Sequence, residues 1–375
     1  MRNSVFITLI ISICVCSCTT PIDTVLTSEH PAIQKVMDSL DTYEVQILYT
    51  QIDTTSKGLV KFKDYAFQEN QKTYFYPAST VKLPIALLAS EYVTAHPELD
   101  LDTPYISKRD SVLHSVADDM RQIFAVSDNE AYNRLYDLLG RDAINTRLKA
   151  LGLAPTRISH RLSTSNADAA ERATIKFFPS YEGDVVTIEN QTDGPIADVK
   201  AKHQQKGTGY FKDGNLMQTP FDFSKKNYFP LQAQHELMKR FFFEDQFDAD
   251  ERFAISYTDK IRIQKMMHTL PRKAKYDPET YYDSYGKFFL YGDSKDPIPE
   301  HIKIYNKVGY AYGTLTETAY VVDEKAGIHF LLSATILVNK NGIFNDDTYE
   351  YDTVGIPFLA QLGREIYALE KGRKQ

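Results

Sequence analysis

The sequence predicts an α/β (α+β) fold: one antiparallel sheet built from both ends of the chain, with flanking helices and a mostly helical lobe. Three observations predict it. Residues 43–52 alternate, with Val45, Ile47 and Tyr49 on one face, and residues 59–67 follow as a second strand after a turn at 54–58. Residues 302–307, 316–323 and 328–338 read as three further strands near the C-terminus. Between these groups, helical periodicity dominates.

Taken in order, residues 31–40 form a first helix. The hairpin at 43–67 leads into Tyr74 to Pro77, and a helix then runs from Ser79 through Ala89 and Tyr92. Residues 120–126 are apolar and helical. Residues 130–139 place Ala131, Leu135, Leu138 and Leu139 on one stripe, and Gly140 ends that helix. Gly152 stops the next one, at 142–151. Helices at 231–243 and 259–270 follow, and the aromatic stretch 281–291 fits no pattern. A closing helix at 353–369 carries the apolar stripe Ile356, Leu359, Ala360 and Ile366.

The 375 residues are ample for a sizeable core, and no internal repeat is visible. A net charge of −7, with no basic cluster interleaved with aromatics, argues against a nucleic-acid partner. The N-terminus reads as a targeting segment. Arg2 precedes a short apolar stretch at 5–15, and the boundary Val15-Cys16-Ser17-Cys18 resembles a bacterial lipoprotein signal. Residues 1–17 are then a signal peptide, Cys18 carries lipid, and residues 18–30 are a polar tether to a membrane of the cell envelope, facing periplasm or exterior. An ordinary secretory signal ending near Ser17 is the alternative. All three cysteines lie at 14, 16 and 18, so the rest of the chain has no disulfide, no cysteine nucleophile and no cysteine metal site. The nine histidines show no metal-binding spacing, and no cofactor is expected.

Three short segments carry chemistry. Ser79-Thr80-Val81-Lys82 places a hydroxyl and an amine one turn apart at a helix start. A lysine whose pKa is lowered by burial can take a serine proton, which a free serine does not give up at neutral pH. About one such spacing arises by chance in a chain of this length, so it decides nothing alone. Ser127-Asp128-Asn129 and Lys307-Val308-Gly309 follow in order, 48 positions after Ser79 and near the C-terminus. Each has a plainer alternative: a helix cap for the first, an edge-strand charge for the second.

The ordered set S-x-x-K, S-D-N and K-[ST]-G is the signature of serine β-lactamases and penicillin-binding proteins. The chain resembles a class A β-lactamase, or its wider family of serine hydrolases, from about residue 33 to 369 apart from a divergent middle. The resemblance implies one folded unit at 31–375 with two interleaved lobes. The helical lobe covers about 85–290, and an insertion with short strands of its own covers about 167–228. It also implies site roles. Ser79 is the nucleophile and Lys82 its proton acceptor, lowered by burial and by neighbouring Lys307. Ser127 relays a proton, and Lys307 supplies positive potential. Asn129 binds the substrate amide. Gly309 lets substrate lie along the strand, and the N–H groups of Ser79 and Tyr310 form the oxyanion hole. The implied substrate is a β-lactam or a cell-wall peptide, and the protein is expected to be a monomer.

The pattern departs from the family in three places. Leu162 stands where the deacylating glutamate is expected, with Asn166 four residues on, and Glu171 or Glu182 are the candidate replacements. Val308 replaces a hydroxyl residue, and Leu315 replaces a carboxylate-binding arginine. These changes predict weak carboxylate capture and slow acyl-enzyme release. The competing expectations are a D-alanyl peptidase-like enzyme and a penicillin-binding sensor that is acylated but not turned over.

Overall fold

The computed structural model of the chain describes residues 19–180 and 184–374. Strand β1 (Gln46–Thr54) turns back at Gly58, φ 78°, into β2 (Val60–Phe67). Three long strands from the other end complete the sheet: β3 (Ile302–Ala311), β4 (Thr314–Asp323) and β5 (Ile328–Leu337). The order is β3-β4-β5-β1-β2, antiparallel throughout, with Ile47 opposite Ala334, Lys307 opposite Thr318 and Gly309 opposite Thr316. The two chain ends therefore meet at the β1–β5 pair, as the sequence predicts. The strand β5 is buried from Phe330 to Ile336, which only a strand covered on both faces can be.

Two cores account for that cover. On one face, α1 (Pro21–Leu26), α2 (Pro31–Met37) and the last helix, α9 (Ile356–Lys374), bury Ile33, Phe358, Leu362 and Ile366 against Ile47, Phe330 and Leu332. On the other lies the helical lobe: α3 (Lys82–Thr94), α4 (Val116–Val126), α5 (Asn129–Leu139), α6 (Arg141–Ala150), α7 (Leu231–Phe242) and α8 (Tyr257–His268). In α3 all ten residues from Lys82 to Glu91 except the last are buried, so it is the lobe's central helix rather than an amphipathic surface one.

Three expectations need correction, and one detail is added. The tether expected at 18–30 is folded from residue 21 on. Thr20 and Asp23 form a capping box, and Ile22, Val25 and Leu26 of α1 pack under α9. Cys18 lies outside the described residues. The helix expected from Ser79 begins as a 3₁₀ turn, Ala78–Val81, and is α-helical only from Lys82. The last helix is entered through one wide π turn, Tyr351–Gly355. Finally, the lobe contains strands: Leu113–His114, Tyr105–Ser107, Ile175–Phe177 and Val186–Ile188 pair in that order, so the insertion's first part extends a small sheet of the lobe.

The rest of the insertion reaches a segment from the other end of the sequence. Gly209–Lys212 and Asn215–Met217 form a hairpin, and the first of these strands pairs in parallel with Ile343–Phe344, between β5 and α9. Phe223 and Tyr228 then join Tyr74, Tyr76, Ala78 and Phe344 in a third buried cluster. Phe223 is its hub, with ring centroids 5.4 Å from Tyr74, 5.9 Å from Tyr76, 5.5 Å from Tyr312 and 5.4 Å from Phe344. This cluster backs the turn that carries Ser79.

The packing yields a prediction for the insertion. Phe223→Ala should cost about 3–5 kcal/mol, the range for removing a buried aromatic. Phe211→Ala, at an exposed position of the same insertion, should stay within about 0.5 kcal/mol. Thermal or urea unfolding of both variants checks this; equal stability would mean that the third cluster does not support the fold.

Candidate active site

The site begins with the turn after Pro77. Thr80 donates to the Pro77 carbonyl from both its backbone N–H (3.1 Å) and its hydroxyl (2.7 Å), and Ala78 sits at φ 46°. In a 3₁₀ turn residues i and i+3 lie in line, so Ser79 and Lys82 share a face. Ser79 faces a cleft of about 1120 Å³, whereas Lys82 is buried below it.

Ser127 is reached through a strained backbone. It ends α4 in the left-handed region (φ 59°, ψ 41°), a conformation costing a non-glycine residue of order 1–3 kcal/mol. The kink lets Asp128 cap α5 by accepting from the Ala131 N–H at 2.8 Å. Capping and function are thus not alternatives here: the cap is what holds Ser127 in place. Lys82 Nζ donates to the Ser127 carbonyl, to Ser127 Oγ at 3.2 Å and to Asn129 Oδ1 at 2.6 Å. Lys307 Nζ, from β3, donates to the same Ser127 Oγ at 2.8 Å. Asn129 spends its other end on the loop, donating from Nδ2 to Ser163 Oγ at 2.9 Å.

Both lysines are shifted. Burial brings the Lys82 ammonium down to about 7, and only Asp128 opposes that shift. Lys307 is held well below the ordinary lysine value, first by burial, then by the charges of Lys82 and Lys287, with Glu317 opposing. The like-charge effect expected between the two lysines thus appears at Lys307, whose neutral form is favoured both by burial and by the charge of Lys82.

Gly309 meets the nucleophile turn backbone to backbone. A Cβ there would lie 2.5 Å from the Pro77 carbonyl oxygen and 2.8 Å from the Ser79 nitrogen, inside contact distance. Tyr310, next on this edge strand, lines the cleft with its ring exposed against Tyr351.

The loop opposite is fixed at Leu162. Buried Asn133 accepts from the Leu162 N–H (2.8 Å) and donates to its carbonyl (2.9 Å). Buried Arg161 donates to Asp137 Oδ1 and to the carbonyls of Ala169 and Glu171. That grip uses the main chain of Glu171, whose side chain does not line the cleft, while Glu182 lies outside the described residues. Leu315 does not face the cleft either, but packs into the core against Gly355.

Several lining residues were not singled out from the sequence. Asp168 and Lys226, 3.7 Å apart, stand on the loop and insertion side. Tyr76, Tyr285, Tyr312, Tyr349 and Tyr351 form aromatic walls. Burial pushes the His160 imidazole down to about 4; it lines the cleft and lies parallel to Tyr76. No local motif marks these tyrosines, which come together from distant parts of the chain. Among the described residues no group of His, Cys, Asp and Glu is arranged to hold a metal ion, and no helix is long and apolar enough to cross a membrane.

Residues 30–184 match the model of the beta-lactamase enzyme family. That match supports a β-lactamase or penicillin-binding-protein-like serine hydrolase family for this part of the chain. Solved structures share its fold across nearly the whole length. A β-lactamase from Xanthomonas campestris pv. campestris aligns with 15% identity and a TM-score of 0.53, covering 94% of this chain and 99% of its own. PBP-A aligns with 14% identity and a TM-score of 0.53, covering 94% and 96%. The protein L2, in complex with relebactam, aligns with 15% identity and a TM-score of 0.51, covering 93% and 98%. No curated protein is a significant sequence match.

The loop provides the prediction for this site. Asn133→Ala leaves the Leu162 N–H and carbonyl unpaired, at a cost of about 1–3 kcal/mol. Hydrogen exchange should quicken across residues 162–169 while α5 stays protected; an unchanged loop would mean that Asn133 does not hold it.

Proposed function

We propose that this protein is an acyl-enzyme-forming hydrolase that opens a β-lactam or a related amide at Ser79 and releases the product slowly. The convergence of Lys82 and Lys307 on Ser127 Oγ, beside the Ser79 turn, carries this reading. Ser79 Oγ attacks the carbonyl carbon, and its proton passes to the amine of Lys82. The C–N bond of the resulting adduct breaks as Ser127 gives its proton to the leaving nitrogen and regains one from a lysine. The Ser79 and Tyr310 N–H groups stabilise the oxyanion, an assignment supported by the approach of β3 to the turn at Gly309.

Slow release follows from Leu162. It occupies the loop position gripped by Asn133, and a leucine cannot activate water. Losing a general base slows a step by roughly 10²–10⁴-fold. The same observation favours a second reading, a penicillin-binding sensor that stays acylated, and it is compatible with a cell-wall peptidase, which needs no such glutamate. Val308 removes one hydrogen-bond donor for a substrate carboxylate, and a buried Leu315 removes the expected charge, so carboxylate capture is weak in either case. We further propose that Cys18 carries lipid and holds the protein at a cell-envelope membrane, on the strength of the sequence Val15-Cys16-Ser17-Cys18.

Labelling with a fluorescent penicillin, followed by mass spectrometry, tests the reading. Wild type should gain one adduct on Ser79, Ser79→Ala none, and equal labelling of both would refute the assignment. Labelling should rise with pH through about 7, since the neutral amine of Lys82 is the proton acceptor. Stopped-flow hydrolysis of a chromogenic cephalosporin should be slow, and Leu162→Glu should quicken release. A wild-type turnover in the hundreds per second, well above the ordinary median of about ten, would mean that another group serves as the base. Cys18→Ala should move the protein to the soluble fraction.

A further inference from the structure

Strand β3 shows different residues to its two sides. Lys307 and Gly309 turn toward the helical lobe, one to Ser127 and the other to the Ser79 turn. Val308 and Tyr310, one step out of phase, turn to the opposite face. Leu315 joins them there, because it stands directly opposite Tyr310 in the β3–β4 register. Val308 and Leu315 are buried in the core that α9 covers, and they bring no polar side-chain atom to that face. Tyr310 differs. It lines the cleft and is 51% exposed, although an aromatic ring gains by burial.

Tyr310 stands on a shelf of fixed rings. The Tyr351 ring lies 5.7 Å away at 77°, and its hydroxyl accepts from the Gly313 N–H at 2.8 Å. Tyr349 packs on Tyr351 at 5.3 Å, and its hydroxyl accepts from the Asn345 N–H at 2.8 Å. Phe288 meets Tyr310 at 6.3 Å and 62°. Both contacts to Tyr310 are steeply inclined, and among the described residues no ring stacks on it. The cations that line the cleft are engaged elsewhere: Lys307 with Ser127, Lys226 beside Asp168, and Arg161 with Asp137. The rim adds an acid, Asp347.

We infer that this shelf is a subsite for an uncharged planar ring of the substrate, aromatic or heteroaromatic, which stacks on Tyr310 in place of a carboxylate. A carboxylate on this face would lose water and find no cation. A flat ring finds a half-bare partner whose neighbours are already held, so little ordering is needed. The inference rests on the acyl-transfer reading for the reaction that follows, not for the binding itself.

Two monocyclic β-lactam probes that differ only on the ring nitrogen, one N-benzyl and one N-carboxymethyl, test it. Acylation of the full-length protein by each is followed by intact mass. The ratio of N-benzyl to N-carboxymethyl rates should fall roughly threefold to tenfold in Tyr310→Ala, which keeps the backbone N–H and loses the ring. It should hold in Tyr310→Phe. Tyr310→Lys, which sets a cation on the shelf, should swing the ratio toward the carboxylate probe. Equal loss for both probes, or a ratio that no variant moves, would overturn the inference and leave the proposed function standing. Saturation-transfer NMR on Ser79→Ala reads binding apart from reaction. The benzyl protons should receive saturation, and the signal should fade when Tyr310→Ala is added; a signal indifferent to Tyr310 would overturn the inference. A probe that binds through Tyr310 and never acylates wild type would uphold it and refute the proposed function instead.

Discussion

Everything in the site depends on one close approach, that of strand β3 to the turn at residues 77–80. At Gly309 the two backbones are so near that a single methyl group would collide with the Pro77 carbonyl and the Ser79 nitrogen. The turn belongs to the helical lobe and the strand to the sheet, so this contact fixes the cleft between them. Only the residue without a side chain permits it. With the strand at that distance, Lys307 reaches Ser127 from the sheet side while Lys82 reaches it from the lobe side.

The fold was legible in the sequence because its strands are long and alternate and its helices are long and periodic. The three motifs were legible because each is local, with its spacing on one turn or one strand. What was missed depended on distance or on strain. Helix α1 did leave a trace, Ile22, Val25 and Leu26 at i, i+3 and i+4 behind a Thr20–Asp23 capping box, but six residues of mixed polarity do not announce a buried helix. The insertion was expected to hold short strands but not where: they are two to four residues long, too short for a periodicity, and Gly209–Lys212 pairs with Ile343–Phe344 far along the chain.

Side-chain roles were harder still. Buried Lys287 sits where neither helix nor strand pattern exists, and only its bonds to Asn306 Oδ1 and to the Ile304 and Met267 carbonyls reveal how it is held. The shared hold of Lys82 and Lys307 on Ser127 Oγ also needed geometry, since one stands on a helix and the other on a strand far away in sequence. Leu162 is the reverse case. Its position was inferred from sequence spacing, and the double hydrogen bond from Asn133 places its backbone at a fixed point on the cleft loop.

The parallel pairing of residues 343–344 with 209–210 joins the insertion to the segment carrying Asn345, Asp347 and Tyr349, all on the cleft wall. The rim of the cleft is thus a collar made from two stretches that contribute nothing to proton transfer. Such a division lets natural variation remodel the entrance while the reacting groups stay untouched. Changes in what this chain accepts would accordingly accumulate in the collar, far in sequence from the serine they serve.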